Sequence, residues 1–170
     1  GRTVQFLASR KTEHGNDIPL ICNQHRVPFF KPKKLYRSSF VGRLGTHTIR
    51  NDMASALKGR SDVLIRDGDI GTSAFVRMVL QSYLALAPRG YGGSSFRLFE
   101  AMQLGVAPIL IGDIDTRPFK RFLPWGGASI YVRSVDELIE VLDKNSDKEL
   151  LEMGERAAAL YIDHLTYQKW

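Results

Sequence analysis

The run Leu86-Ala87-Pro88-Arg89-Gly90-Tyr91-Gly92-Gly93-Ser94-Ser95-Phe96-Arg97-Leu98-Phe99-Glu100-Ala101-Met102 holds the residues whose types and order point most directly to chemistry. It reads as a buried strand ending at Pro88, a glycine-rich turn, and a helix starting near Ser94 or Ser95 with Phe96, Phe99 and Met102 toward the core. Gly90, Gly92 and Gly93 admit positive φ angles and close backbone approach. The free N–H groups and positive dipole end of the new helix favour a phosphate. Ser94 and Ser95 either cap the helix or donate hydroxyls to phosphate oxygens, and Arg97 adds a forked, permanently charged donor. Arg89 and Tyr91 belong to the same candidate lining. Glu100 follows Arg97 by one turn on the same face, where an acceptor-only carboxylate can grip a pair of sugar hydroxyls. The alternative is a turn that only reverses the chain, with Arg97 and Glu100 as an ordinary surface ion pair. The run is neither a GxxxxGK[ST] loop nor a clean GxGxxG after a first strand, which disfavours kinases and dehydrogenases.

Other residues compete. Asp67-Gly68-Asp69 and Asp113-Ile114-Asp115 have the spacing with which two carboxylates hold a divalent metal against a diphosphate, although such triplets are common by chance after strands. Asp67 has two further readings, an approach to a nucleobase or a simple turn. His14, His25, His47 and His164 lack paired metal-ligand spacing, so each is expected on the surface or in packing; His47, close after Arg43, is the one placed to face a ligand. Lys31, Lys33 and Lys34, with Phe29, Phe30 and Tyr36 nearby, make the best case for a polyanion surface. Prolines interrupt that cluster, and the favoured reading is a solvated linker whose aromatics pack on the domain. Trp125 is expected in the core.

These residues need a scaffold, and the chain from Ser39 onward supplies one. Strand-like runs at Ser39 to Gly42, Asp62 to Arg66, Tyr83 to Ala87, Ala107 to Ile111 and Ser129 to Val132 alternate with helical segments, the pattern of a parallel sheet wound by helices. Ile49, Met53, Ala56 and Leu57 make one expected buried stripe, and Val135, Leu138, Ile139 and Leu142 another. Ser134 with Glu137, and Ser146 with Glu149, have capping-box spacing. Two closing helices follow, the last expected to run to about His164. Residues 1–38 read as a lead-in or the remnant of another domain, and 39–170 as a three-layer, Rossmann-like α/β domain with a mainly parallel sheet.

With 170 residues, 44% of them hydrophobic, the chain has material for one such domain. A charge of +6 and a pI near 9.6 suit an anionic partner without naming it. Cys22 is the only cysteine, which excludes an intrachain disulfide and a Cys-based zinc site. No apolar run reaches the roughly 20 residues that span a bilayer. The opening on Gly1 suggests a trimmed chain, in which case an anchor or targeting segment could have been removed, so localisation stays open.

The chain resembles the exostosin-like glycosyltransferases, glycosyltransferase family 47, in their carboxy-terminal half. The likeness begins at Val27-Pro28, passes through Ser39-Phe40-Val41-Gly42-Arg43 and the Leu86 to Met102 run, and continues in Gly105-Val106-Ala107-Pro108-Ile109-Leu110-Ile111-Gly112-Asp113, Pro118-Phe119 and Leu123-Pro124-Trp125. It implies the donor half of a GT-B enzyme, in which two Rossmann-like domains face each other across a cleft. The implied donor is a UDP-sugar and the acceptor a glycan hydroxyl, with inversion, no metal, no further cofactor and no nucleic acid. By the same likeness Glu100 would bind ribose hydroxyls, and Arg43, Ser95 and Arg97 would lie near the diphosphate. Arg43 has independent support, since it follows a strand and precedes a helix, where open sheets bind ligands. Ala85 stands where relatives often carry cysteine. Residues before Ser39 are too few for an acceptor domain, so no catalytic base is identified and weak or absent transfer is expected from these residues alone. Two alternatives stay open: a metal-dependent GT-A enzyme using one DxD, and a noncatalytic polyanion-binding domain.

Overall fold

The computed structural model describes residues 4–169; residues 1–3 and 170, the outer ends of the expected lead-in and domain, lie outside the described residues. A two-residue parallel ladder pairs β1 (Phe6–Leu7) with β2 (Asn16–Asp17). The main sheet contains β3 (Tyr36–Gly42), β4 (Val63–Asp67), β5 (Ser82–Pro88), β6 (Ala107–Ile111) and β7 (Ile130–Val132), all parallel, in the order β4-β3-β5-β6-β7. Among the described residues five α-helices flank it: α1 (Thr48–Ala56), α2 (Thr72–Leu80), α3 (Phe96–Gln103), α4 (Val135–Leu142) and α5 (Asp147–Leu160). Each expected strand is present, β6 with the expected bounds. β3 begins at Tyr36, so a division between residues 38 and 39 falls inside a strand.

Alternation along the strands makes the three layers. Leu84 and Leu86 of β5 join Phe40, Ile109 and Ile111 under α1, α4 and the first half of α5. Ala85 and Ala87 point the other way, where their small side chains receive Phe75 of α2 and Phe99 of α3. A sheet buried on both faces needs such continuous apolar strands. α5 serves both faces, since Leu150 and Met153 pack on one and Ala157 and Leu160 on the other.

The helical stripes differ in detail from expectation. Met53 and Leu57 are buried but Ala56 is exposed, and in α4 Leu138 and Leu142 are buried while Ile139 is exposed. Ile139 follows Leu138 by one residue and is rotated off the core face, which Val141 shares instead. Phe96, the first residue of α3, is likewise exposed, whereas Phe99 and Met102 are fully buried. Ser146 and Glu149 form a complete capping box. Ser134 accepts from the Glu137 amide, but the Glu137 carboxylate takes the amide of Arg133, one residue before the cap. α5 continues as a wider turn over Tyr161–Leu165, past His164.

The lead-in is bound to the domain. Arg10 is buried, pairs with Asp17 at 2.9 Å and donates to the carbonyls of Thr12 and Asp115. Phe29 and Phe30 do not pack on the domain as expected; they are 93% and 83% exposed and meet each other edge to face. Lys34 turns inward and donates to the Ser82 carbonyl at 2.6 Å. Trp125 is in the core as expected, its indole N–H on the Pro118 carbonyl.

Candidate functional site

β3 and β5 are neighbours, yet α1 carries the chain from β3 toward the β4 edge and α3 carries it from β5 toward β6. That divergence opens a crevice beyond the carboxyl ends of the strands, the place where doubly wound sheets bind ligands. Here it is a cleft of about 450 Å3, walled by Arg43 and Thr46 after β3, Gly68 to Thr72 after β4, and Gly90, Tyr91 and Ser95 to Arg97 after β5.

One wall is basic, and its most constrained member is Arg50, a residue the sequence pattern did not single out. Only 8% exposed, it donates to the carbonyls of Arg89 at 2.9 Å, Arg43 at 2.8 Å and Pro88 at 3.0 Å. The guanidinium spreads its five N–H donors over a rigid planar fork, and through it Arg50 ties the loop after β3 to the end of β5. Burial, and then the charge of Arg97, lowers its pKa to about 10, which leaves it a cation at neutral pH. Arg97 lies 4.6 Å over the Phe75 ring and pairs with Glu100. Ser95 is the N-cap of α3, yet its side chain makes no capping bond. Its buried Oγ finds no partner among the described residues, and it borders the cleft.

Glu100 is not half of a surface ion pair. It is 3% exposed, with Oε2 on Arg97 and Oε1 3.0 Å from Nε2 of His25. Of the surface or packing role expected of it, His25 takes the packing one, with its side chain 2% exposed and its ring against Phe75, and it adds a hydrogen bond to the one buried acid of the cleft. Three-residue spacing puts Arg97, Glu100 and Gln103 on one face of α3, and Gln103 holds the lead-in through the His25 amide and the Asn23 carbonyl.

The glycines act differently from expectation. None of Gly90, Gly92 and Gly93 has a positive φ; what the last two provide is close approach. A Cβ on Gly92 would lie 2.0 Å from Ser9 Oγ, and one on Gly93 2.5 Å from the Arg10 carbonyl oxygen. The Gly93 amide donates to that carbonyl at 2.8 Å and the Ser94 amide to Ser9 Oγ at 3.3 Å. The second half of the turn is thus filled by the chain's own lead-in, and Gly92, Gly93 and Ser94 lie outside the cleft lining. Arg89 lies against Gly112 and pairs with Asp113. Asp67, at the end of β4, accepts the Leu44 amide of the loop after β3 at 2.8 Å and lies outside the lining. Of the residues expected from the sequence to hold the donor, Arg43, Gly90, Tyr91, Ser95, Arg97 and Glu100 border the cleft.

Both DxD pairs are engaged by the chain itself. Asp69 accepts the Gly71 amide, and Asp115 is gripped by Arg117. Burial pushes the Asp115 carboxyl up, but the Arg117 hydrogen bonds and charge outweigh it and the net shift is downward. Among the described residues no group of three or more His, Cys, Asp or Glu side chains is placed to hold a metal ion. His47 caps α1, accepting the Ile49 amide on Nδ1. Burial, and then the charge of Arg89, lowers its pKa, so it is neutral at pH 7.

The sheet order, the layers and the cleft at the switch point define a doubly wound α/β domain. The Exostosin GT47 domain matches residues 18–144, and the chain belongs to that family. It is 32% identical over 90 residues to an Exostosin-1 homolog of Caenorhabditis elegans, covering 52% of this chain and 24% of the relative. It is 28% identical to a probable glycosyltransferase of Arabidopsis thaliana, covering 83% of this chain and 33% of that protein. The chain thus spans a third or less of the length of these relatives. In fold it is similar to the GT-B glycosyltransferase TarM of S. aureus, with a TM-score of 0.62 at 13% identity, over 92% of this chain and 38% of that one. That TarM structure is a mutant in complex with fondaparinux, α-GlcNAc-glycerol and UDP. The expected three-layer α/β architecture is the observed one.

Proposed function

We propose that this chain is the donor-binding domain of a glycosyltransferase that holds a UDP-sugar and passes its sugar, with inversion and without a metal, to a glycan hydroxyl. The observation that carries the reading is Glu100: a buried carboxylate opening on the same cleft as Ser95, Arg97 and Arg43. Acceptor and donors of that kind, one helical turn apart, match ribose hydroxyls beside a diphosphate. Family membership and a fold shared with TarM, which was solved with UDP, support it.

The diphosphate is placed at Gly90, Tyr91 and Ser95, not at the amides of Gly93 and Ser94, which the lead-in occupies. In the reaction an acceptor oxygen bonds to the anomeric carbon as the bond from that carbon to the diphosphate breaks. The acceptor proton passes to a base that this chain does not identify. Charge gathering on the departing diphosphate is met by Arg43, Arg97 and the amino end of α3. Arg50 contributes by keeping the two loops together.

Calorimetric titration with UDP-, GDP- and ADP-sugars tests the assignment. UDP compounds are expected to bind most tightly, and Glu100→Ala to weaken them about 10- to 100-fold, the loss of a charged hydrogen-bond partner. Unchanged affinity in a folded Glu100→Ala protein would overturn the assignment. Binding abolished by a chelator would transfer the function to a DxD. Heparin affinity with no UDP binding, unmoved by Arg97→Ala, would favour the polyanion-binding reading.

A further inference from the structure

Four side chains from three parts of the chain close a ring of contacts at the rim of the cleft. His25 Nε2 meets Glu100 Oε1 at 3.0 Å, Glu100 Oε2 pairs with Arg97, the Arg97 guanidinium lies 4.6 Å over the Phe75 ring, and that ring packs 5.0 Å from the imidazole of His25. Arg97 and Glu100 come from α3 and Phe75 from α2, whereas His25 comes from the stretch before the sheet begins. The imidazole has little freedom within this ring. Its backbone amide is held by Gln103 Oε1 at 2.9 Å, and its side chain is 2% exposed. Nδ1 is buried with no partner among the described residues, so the tautomer that carries its proton on Nε2 and gives it to the carboxylate is the one that leaves no buried N–H unpaired.

Fixing a carboxylate matters because two hydroxyls on adjacent ribose carbons demand one orientation of its plane. Arg97 cannot supply that restraint by itself, since its head is partly exposed and is also the group offered to the diphosphate. We infer that His25 is a positioning residue: through its hydrogen bond to Oε1 it sets the rotation of the Glu100 carboxylate that receives the ribose hydroxyls. This rests on the nucleotide reading of the cleft. It makes the stretch before β3 a working part of the donor site.

The test compares UDP, 2′-deoxy-UDP and 3′-deoxy-UDP by calorimetry on the 170-residue chain, as wild type, His25→Phe, His25→Gln and Glu100→Gln, with melting curves for each. Wild type is expected to prefer UDP over both deoxy analogues by about tenfold or more. His25→Phe keeps a ring against Phe75 but has no donor, and its preference is expected to fall to about twofold or less, as in Glu100→Gln. His25→Gln restores an N–H and is expected to recover most of the preference. A packing role would instead spare the ratio in His25→Phe. Full discrimination in His25→Phe with loss in Glu100→Gln overturns the inference and leaves the nucleotide reading standing, as does failure of His25→Gln to recover any preference while folded. Absence of UDP binding by the wild type removes both.

Discussion

The backbone amide of Gly93 donates to the carbonyl of Arg10 at 2.8 Å, so a turn rich enough in glycine to cradle a phosphate cradles another stretch of its own chain. Neighbouring Gly92 is as tightly covered: an added Cβ would lie 2.8 Å from the Ser9 carbonyl oxygen as well as against its hydroxyl. The lead-in cannot easily retreat, because Arg10, braced from within the lead-in by Asp17, is tied to the domain through the Asp115 carbonyl. Gly92→Ala is therefore expected to release the segment around β1 and β2 while the main sheet stays folded. Limited proteolysis should cut that segment faster in the variant, and UDP affinity, assigned to the other half of the turn, should hold. Equal protease resistance would show that the lead-in yields without detaching.

Arg50 gives a second expectation. Arg50→Lys keeps the charge but replaces a fork that reaches the carbonyls of Arg43, Pro88 and Arg89 with a single ammonium on a flexible stem. Two of those buried acceptors lose their partner, at a cost of about 2–4 kcal/mol. The loops after β3 and β5 lose their tie, so UDP affinity should fall together with stability. Urea unfolding and calorimetry read the two effects. A urea midpoint matching wild type would mean that water or lysine serves those carbonyls equally well.

The strands and the glycine turn were legible because their signals are local. Leu84 to Ala87 and Ala107 to Ile111 are apolar on both faces, as parallel strands must be. α2 announced itself less clearly: it starts from Gly71 with no side-chain cap, although Phe75, Val79 and Leu80 do form a buried stripe. His25 and Arg50 were missed for a different reason. The partner of His25 is 75 residues away, and Arg50 binds backbone carbonyls, which leave no mark on residue identity. One signal was available for Arg50, which stands three residues before buried Met53 on the core-facing side of α1. Nothing at Ser9 or Arg10 foretold that they fill the turn, since that depends on where the chain returns in space.

Gly154 tests how closely α5 must approach the sheet. In a helix interior alanine is favoured over glycine by about 1 kcal/mol. Here a Cβ would lie 2.3 Å from the Gly105 carbonyl oxygen and 3.0 Å from its carbon, both rigid backbone atoms. The same Cβ would also lie 3.2 Å from the Ala107 amide nitrogen, so the overlap is with backbone at the entry to β6 and not with a side chain that can swing aside. Overlap should therefore win, and Gly154→Ala is expected to lose about 2–4 kcal/mol as α5 moves off β6. Thermal unfolding reads it; a higher melting temperature would mean that the helix shifts at no cost.

Lys34 makes stability depend on pH in the alkaline range. Burial, and then the charge of Lys31, lowers its ammonium from 10.5 to about 8. Below about 8 the folded and unfolded chains both carry the proton and the burial penalty stands in full. Between about 8 and 10.5 the folded chain has released the proton while the unfolded chain retains it. The unfolded state then binds more protons, so stability contributed by this group rises with pH across that window. Lys34→Met removes the titration together with the bond to the Ser82 carbonyl, whose strength changes only as Lys34 itself loses its proton. Urea unfolding at pH about 7 and about 9.5 should show the wild type gaining on the variant as pH rises. Other titrating groups cancel in the difference. A constant gap between the two proteins would mean that the Lys34 ammonium is not depressed in the folded chain.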